Sequence, residues 1–212
     1  MITKKNTKPN YWNAAIRHLS AADPVISRVI SKYKHNNFLT VTNTPFVTLF
    51  KIILGQQISI EAAKSIENRI KKNIRQITPN NFLKHDINNL RAYGLSHRKI
   101  KYISGVAKII KSEPNFFKKI STSNDADAIK QLTTLYGLGP WSAEMFLIFQ
   151  YNRRNILPLD DIGLINSFCN NYKINRQSFS IEIMKYKNIW NPYCTVATWY
   201  LWRDIDEDVV QY

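Results

Sequence analysis

Apolar residues recur along this chain at helical spacing, and clean strand-like alternation is scarce. The segment YWNAAIRHLSAADPVISRVI, starting at Tyr11, reads as a helix, a break at Asp23-Pro24 and a second helix with Pro24 in its first turn. The stretch TVTNTPF that follows reads as a loop or a strand fragment. An apolar stripe then runs through Phe46, Leu49, Phe50, Ile53 and Leu54 and stops at Gly55. A second stripe begins after Ser59 and takes in Ala62, Ala63, Ile66 and Ile70, with Ser59 as N-cap and Glu61 favourable in the first turn. The intervening GQQIS is therefore a helix-to-helix corner with polar tips. NNLRAYG ends a helix at Gly94 as a left-handed cap does, and Ser96 caps the next helix. That helix buries Ile100, Ile103, Val106, Ala107 and Ile110, and carries Arg98, Lys99, Lys101, Lys108 and Lys111 on its other face. Any one of those cations, taken singly, reads as part of an ordinary solvated face.

The pattern tightens in DADAIKQLTTLYGLGPWSAEMFLIFQY. Ile129, Leu132 and Leu135 form one helix face, Gly137 and Gly139 bracket Leu138, and Pro140 stands where a helix accepts proline. This is a helix, a two-glycine turn and a helix, with almost no linker. Further on, DDIGLINSF starts a helix with acids at its positive end, and WNPYCTVATWYLWRD predicts a final helix with Asn191 as cap and Pro192 at its first position.

Composition narrows the class. The chain has 212 residues, 44% of them apolar, enough for one domain or two small lobes sharing a core. Lys and Arg total 30 against 15 acidic residues, a formal charge of +15, which favours a polyanionic partner because each neutralised phosphate releases counterions. Aromatics make up 12%, including five Trp. The two cysteines, Cys169 and Cys194, form no CxxC pair, and His18, His35, His85 and His97 show no metal-ligand spacing. The polar, basic start MITKKNTKPN is unlike a secretory leader, and no apolar run reaches membrane-spanning length. The expectation is a protein that is not secreted, works in a reducing compartment and has no membrane partner.

LYGLGPWSA carries the most specific chemistry. A Gly-x-Gly turn between helices presents backbone N–H groups at the start of the second helix, and these, with the helix dipole, can hold a phosphate without any side chain. Glycine admits both the left-handed turn and close approach of a nucleic-acid backbone. On its own the motif equally describes a plain αα-corner.

In its context the sequence resembles the helix-hairpin-helix DNA glycosylases, and most of all their DNA-3-methyladenine glycosylase II branch. FVTLFKIILGQQIS, LRAYGLSHRKIKYI, LTTLYGLGPWSAEMF, LPLDDIGL and WNPYCTVATWYLW occur in that family's order and spacing, covering the chain from about Tyr11 onward. The resemblance implies an all-α fold with two helical lobes flanking a DNA-binding cleft. One lobe is expected at 45–153, with the corner and the hairpin, and the other at 11–44 plus 154–212, behind a basic, disordered tail at 1–10.

It also implies a monofunctional glycosylase that flips an alkylated base, 3-methyladenine or 7-methylguanine, out of duplex DNA and hydrolyses its glycosidic bond in base excision repair. Asp161, 22 residues after Gly139, matches the essential carboxylate that stabilises positive charge on the sugar. Its neighbour Asp160 is assigned to capping or shaping the loop beside the base. Spacing alone leaves the reverse open, and either acid reads equally as a plain helix cap. Trp141 and Trp202 match base-pocket aromatics, suited to stacking on a cationic base, though without the resemblance both read as core. Gln57 matches the wedge that fills the vacated stack, against the plainer reading of an exposed corner residue. Gly137, Leu138, Gly139, Trp141 and Ser142 match the phosphate-binding hairpin, and the backbone carbonyls of Thr133, Leu135 and Leu138 match a monovalent cation site (Na+ or K+). No other cofactor is implied.

Bifunctional relatives place a lysine two residues after the second hairpin glycine; here that position is Trp141, so strand cutting is not expected. Two cysteines exclude the four-cysteine iron–sulfur branch. The resemblance further implies a monomer acting on DNA in the bacterial cytoplasm or, in a eukaryote, the nucleus. Cys194 stands where the family's W-x-P-x-R motif has arginine, and Met145 and Ile162 replace aromatics found in some relatives. These departures keep two alternatives in view: a non-catalytic damage-recognition module, and a glycosylase for deaminated or oxidised bases.

Overall fold

Every regular element among the described residues of the computed structural model is helical; these are residues 7–33, 38–206 and 212. Residues 1–6 of the expected tail, and His35, lie outside them. The TVTNTPF stretch forms no strand and leads directly into a helix that starts at Pro45.

The chain divides into two compact units, Met1–Thr42 with Leu147–Gln211, and Asn43–Phe146 with Tyr212. The second contains α3 (Pro45–Gly55), α4 (Ile60–Asn73), α5 (Pro79–Phe82), α6 (Ile87–Ala92), α7 (His97–Ser112), α8 (Phe116–Thr122) and α9 (Asp125–Leu132). Its core is built on α3, whose Phe46, Leu49, Phe50, Ile52, Ile53 and Leu54 are buried and which packs against α4 and α7. The boundaries follow local chemistry. Ser59 accepts from the Ala62 N–H to start α4, Asp86 from Asn89 to start α6, and Ser96 from Lys99 to start α7. Past α6, Gly94 takes a φ of +104°, with its N–H on the Arg91 carbonyl and the Leu95 N–H on Leu90, the paired bonds of a Schellman cap. In α4 Ile70 is sealed, while Ala62, expected on its inner face, is exposed.

The other unit contains α1 (Trp12–Ala22), α2 (Pro24–Lys32), α11 (Ile162–Tyr172), a 3₁₀ turn at Arg176–Ser178, α12 (Phe179–Trp190) and α13 (Cys194–Arg203). α10 (Pro140–Tyr151) runs across the division, which falls between Phe146 and Leu147. Asp23 organises the interior of this unit. One carboxylate oxygen caps α2 by accepting from Val25 and Ile26; the other accepts from the Tyr172 hydroxyl at 2.6 Å and the Trp190 indole N–H at 2.8 Å. A carboxylate only 2% exposed is tolerable because four donors replace its water. Burial, reinforced by Asp23, pushes the Tyr172 hydroxyl well above its ordinary range. Trp190 also corrects the reading of the last helix. Its buried indole belongs to α12, so Asn191 closes that helix, and α13 begins at Cys194 rather than at Pro192.

Candidate active site

In the Asn43–Phe146 unit, α9 ends at Leu132 and a seven-residue turn, Thr133–Gly139, leads into Pro140 of α10. The two glycines do different work. Gly137 has φ +94°, and a Cβ there would run into the Tyr102 ring of α7. The fold itself therefore requires glycine at this position. Gly139 has no positive φ, and a Cβ there would meet nothing within 4 Å. Its carbonyl opens α10 by accepting from Ala143. The first turn of a helix has no carbonyls one turn earlier to receive its amides, and Pro140 has no N–H, so Gly139, Trp141 and Ser142 supply the donors at this positive end. Leu138 is buried beneath the turn, its N–H on the Leu135 carbonyl at 3.0 Å. Trp141 is half-buried; Ser142 is 3% exposed.

The Ser142 hydroxyl faces a residue that sequence reasoning missed. Gln56, the C-cap of α3, donates its Nε2 to the Gly137 carbonyl at 3.1 Å and to Ser142 Oγ at 3.0 Å. Lys99, expected on a solvated face, turns inward instead. Its ammonium donates to the Leu54 carbonyl at 2.6 Å, a cation on the negative end of α3, and partial burial lowers its pKa. Gln57, the expected wedge, is exposed and holds a left-handed φ of +57°. The doubled glutamine of GQQIS was the available signal, since one corner tip cannot project both side chains. Beside the turn, the exposed Tyr136 ring meets Tyr102 edge-on at 5.1 Å, with the Lys101 ammonium 4.8 Å from its centroid.

The other unit holds the acidic pair. Asp161 is the N-cap of α11: its Oδ1 accepts from the Leu164 N–H at 2.8 Å and from the Trp202 indole N–H at 2.7 Å. The cap is thus Asp161, and the assignment of capping to Asp160 is corrected. Asp160 lies exposed one residue earlier, before the backbone turns into the helix. The physical reason is position: only the residue immediately preceding the first helical residue points its side chain back at the third amide. Trp202 is half-buried on α13 and stacks on Phe149 of α10 at 5.8 Å with an interplanar angle of 10°. Its edge also closes on Gly163, where a Cβ would lie 3.1 Å from both Trp202 Cδ1 and Asp161 Oδ1. A capped, indole-bonded carboxylate cannot swing freely, and such fixed anionic charge suits stabilisation of a developing cation.

The departures from the family pattern fall out of the packing. Cys194 is fully buried, with its thiol on the Lys187 carbonyl, and burial pushes its pKa up to about 11. Met145 is core, whereas Ile162 is 63% exposed. Among the described residues no group of three or more His, Cys, Asp or Glu side chains gathers as for a metal ion, and no helix is long and apolar enough to cross a membrane.

Residues 50–192 match the HhH-GPD superfamily of base excision DNA repair proteins. The chain is 30% identical over 194 residues to a DNA-3-methyladenine glycosylase 1 of Schizosaccharomyces pombe, covering 88% of this chain and 84% of that protein. It is 27% identical over 216 residues to a Saccharomyces cerevisiae DNA-3-methyladenine glycosylase, covering 94% of this chain and 73% of that protein. Its structure superimposes, at a TM-score of 0.75 and 28% identity, on an S. pombe 3-methyladenine DNA glycosylase in complex with abasic DNA, covering 90% of this chain and 95% of that one. With a hairpin whose second glycine faces open space and a carboxylate fixed at a helix start, the chain belongs to the HhH-GPD superfamily of base excision DNA repair proteins.

Proposed function

We propose that this protein is a monofunctional DNA glycosylase that hydrolyses the N-glycosidic bond of alkylated bases, 3-methyladenine and 7-methylguanine, in double-stranded DNA. The observation that carries the reading is the Asp161 carboxylate, anchored through Oδ1 by the first turn of α11 and by the Trp202 indole. As the glycosidic bond breaks, positive charge grows on the sugar, and a carboxylate already oriented stabilises it without further reorganisation. Ring alkylation makes the base cationic, so the departing base needs little help, and aromatic faces such as those of Trp202 and Trp141 suit its binding. Asp160 borders that base site in this reading. The amides of Gly137, Gly139, Trp141 and Ser142 grip a phosphate, while Leu138, whose own N–H is engaged by the Leu135 carbonyl, shapes the turn between them, and Gln57 fills the vacated stack.

The absence of a lysine at position 141 supports hydrolysis to an abasic site with the strand intact. A monovalent cation on the carbonyls of Thr133, Leu135 and Leu138 belongs to the same proposal. Leu135 already accepts from Leu138, and a carbonyl's second lone pair leaves room for an ion. The protein acts as a monomer on DNA, in the cytoplasm of a bacterium or the nucleus of a eukaryote. Incubation with methylated duplex DNA is expected to release 3-methyladenine and 7-methylguanine, with strand breaks only after alkaline treatment of abasic sites. Faster release of hypoxanthine or an oxidised purine from single-lesion duplexes overturns the substrate assignment, and salt-dependent damage binding with no base release overturns catalysis.

A further inference from the structure

The corner between α3 and α4 and the glycine turn before α10 are separate in sequence, yet one side chain joins them. Gln56 and Gly137 are 81 residues apart, and the Gln56 carboxamide donates to the Gly137 carbonyl at 3.1 Å and to Ser142 Oγ at 3.0 Å. These acceptors sit on the turn that leads into α10 and in the first turn of α10 itself. The corner is pinned on both flanks as well: Lys99 holds the Leu54 carbonyl, and Ser59 caps α4. Between these anchors Gln57 occupies the left-handed region at φ +57°, and Gln57, Ile58 and Ser59 are exposed. A non-glycine residue persists in that region only where its surroundings over-determine it.

We infer that Gln56 is a positioning residue: it locks the exposed Gln57 tip in register with the phosphate-binding turn, so that one nucleotide is gripped at a fixed offset from the point where the stack is wedged. This inference rests on the proposed glycosylase reading. It assigns Gln56 no contact with DNA. Flipping requires a strand held on one side while something replaces the extruded base, and a wedge free to drift relative to the grip loses that leverage. Gln56 is suited to the task because its two acceptors are a carbonyl and a hydroxyl, so the carboxamide N–H₂ uses both its hydrogens.

The test compares Gln56→Met, which keeps the chain length and adds no charge, with Gln56→Glu, which replaces the donor by an acceptor. Single-turnover base release is measured on two duplexes carrying the same 7-methylguanine, one opposite cytosine and one opposite an abasic gap, where the lesion is already unpaired. Loss of two hydrogen bonds at the corner is expected to lower the paired-to-unpaired rate ratio about tenfold. A general folding defect lowers both rates and leaves the ratio unchanged. In a Gln57→Ala background, Gln56→Met is expected to change the ratio less than twofold further, because both substitutions break one device.

An unchanged ratio in either Gln56 variant of wild-type thermal stability overturns the inference, as do fully additive effects. Fluorescence of 2-aminopurine placed beside the lesion reads flipping independently of chemistry. If the wild-type chain releases no base, the proposed function fails, yet the inference still stands or falls on this signal. A wild-type fluorescence rise lost in Gln56→Met supports it, and equal signals overturn it.

Discussion

The glycine turn and the Asp161 loop are built of opposite materials. The turn is made of backbone: one glycine whose missing Cβ makes room for Tyr102, another beside open space, and the amides that start α10. The acidic loop is made of side chains: a carboxylate, an indole 41 residues away in sequence, and the Phe149 ring beneath that indole. Backbone donors cannot be mutated away and hold their direction through the fold, which suits gripping a repetitive phosphate chain. A carboxylate's charge and placement are set by a few neighbours, which suits a single chemical step.

The sharpest way to break this comparison is Asp161→Asn. Asparagine is as good an N-cap, and its side-chain oxygen can still accept from Leu164 and Trp202, so the fold is retained while the charge is lost. Base release is expected to fall by about a thousandfold, the scale of losing a transition-state electrostatic contact. Duplex affinity should hold or rise, as a repulsive charge is removed. Wild-type turnover in this variant ends the mechanism.

Trp202→Phe comes next. It keeps a ring for Phe149 to stack on and removes the indole N–H from Asp161. A hydrogen bond to a charged group is worth about 1.5–3 kcal/mol, so single-turnover release should drop at least roughly tenfold, with thermal stability little changed. Equal rates would mean the helix cap alone orients the carboxylate.

The glycines provide a stability test. Gly137→Ala combines a positive φ with a collision against Tyr102 and should cost about 1–3 kcal/mol by denaturant unfolding. Gly139→Ala should cost under about 0.5 kcal/mol yet weaken duplex binding at low salt, since the proposed phosphate grip lies on its open side. If both substitutions weaken folding equally, Gly139 is structural too.

An effect that depends on pH is expected at Asp204, just beyond α13. Burial raises its pKa, but hydrogen bonds from Lys32, Asn171 and Tyr33, with the Lys32 charge, outweigh this and leave it lowered. A carboxylate depressed on folding stabilises the native state above its unfolded pKa, near 3.8, and that contribution fades as pH falls through the lower folded value. Asp204→Asn should therefore cost about 1 kcal/mol at pH 7 and progressively less below pH 4, read from melting curves across pH.

Much of this was legible locally. The Asp23-Pro24 restart, the Ser59 and Ser96 caps, the Gly94 cap and the two-glycine turn each depend on a few adjacent residues, and all appear where the pattern placed them. The errors came where a neighbouring residue competed for the same local role. Asn191 closes one helix instead of opening the next because buried Trp190 extends α12, and Asp161 rather than Asp160 caps α11. Lys99, grouped with the solvated cations of its helix, folds back onto the Leu54 carbonyl, 45 residues earlier.

By itself the sequence determined helix starts, stops and turns, because capping, proline geometry and glycine's freedom act over three or four residues. It also determined the net positive charge and the absence of a hairpin lysine at position 141. Only the tertiary structure decided which glutamine of GQQIS turns inward, that Trp202 bonds Asp161, and that Gly137 yields its space to Tyr102 while Gly139 keeps its own. Each of these is a contact between residues more than 30 positions apart or a vacancy that packing leaves, and no local propensity encodes either.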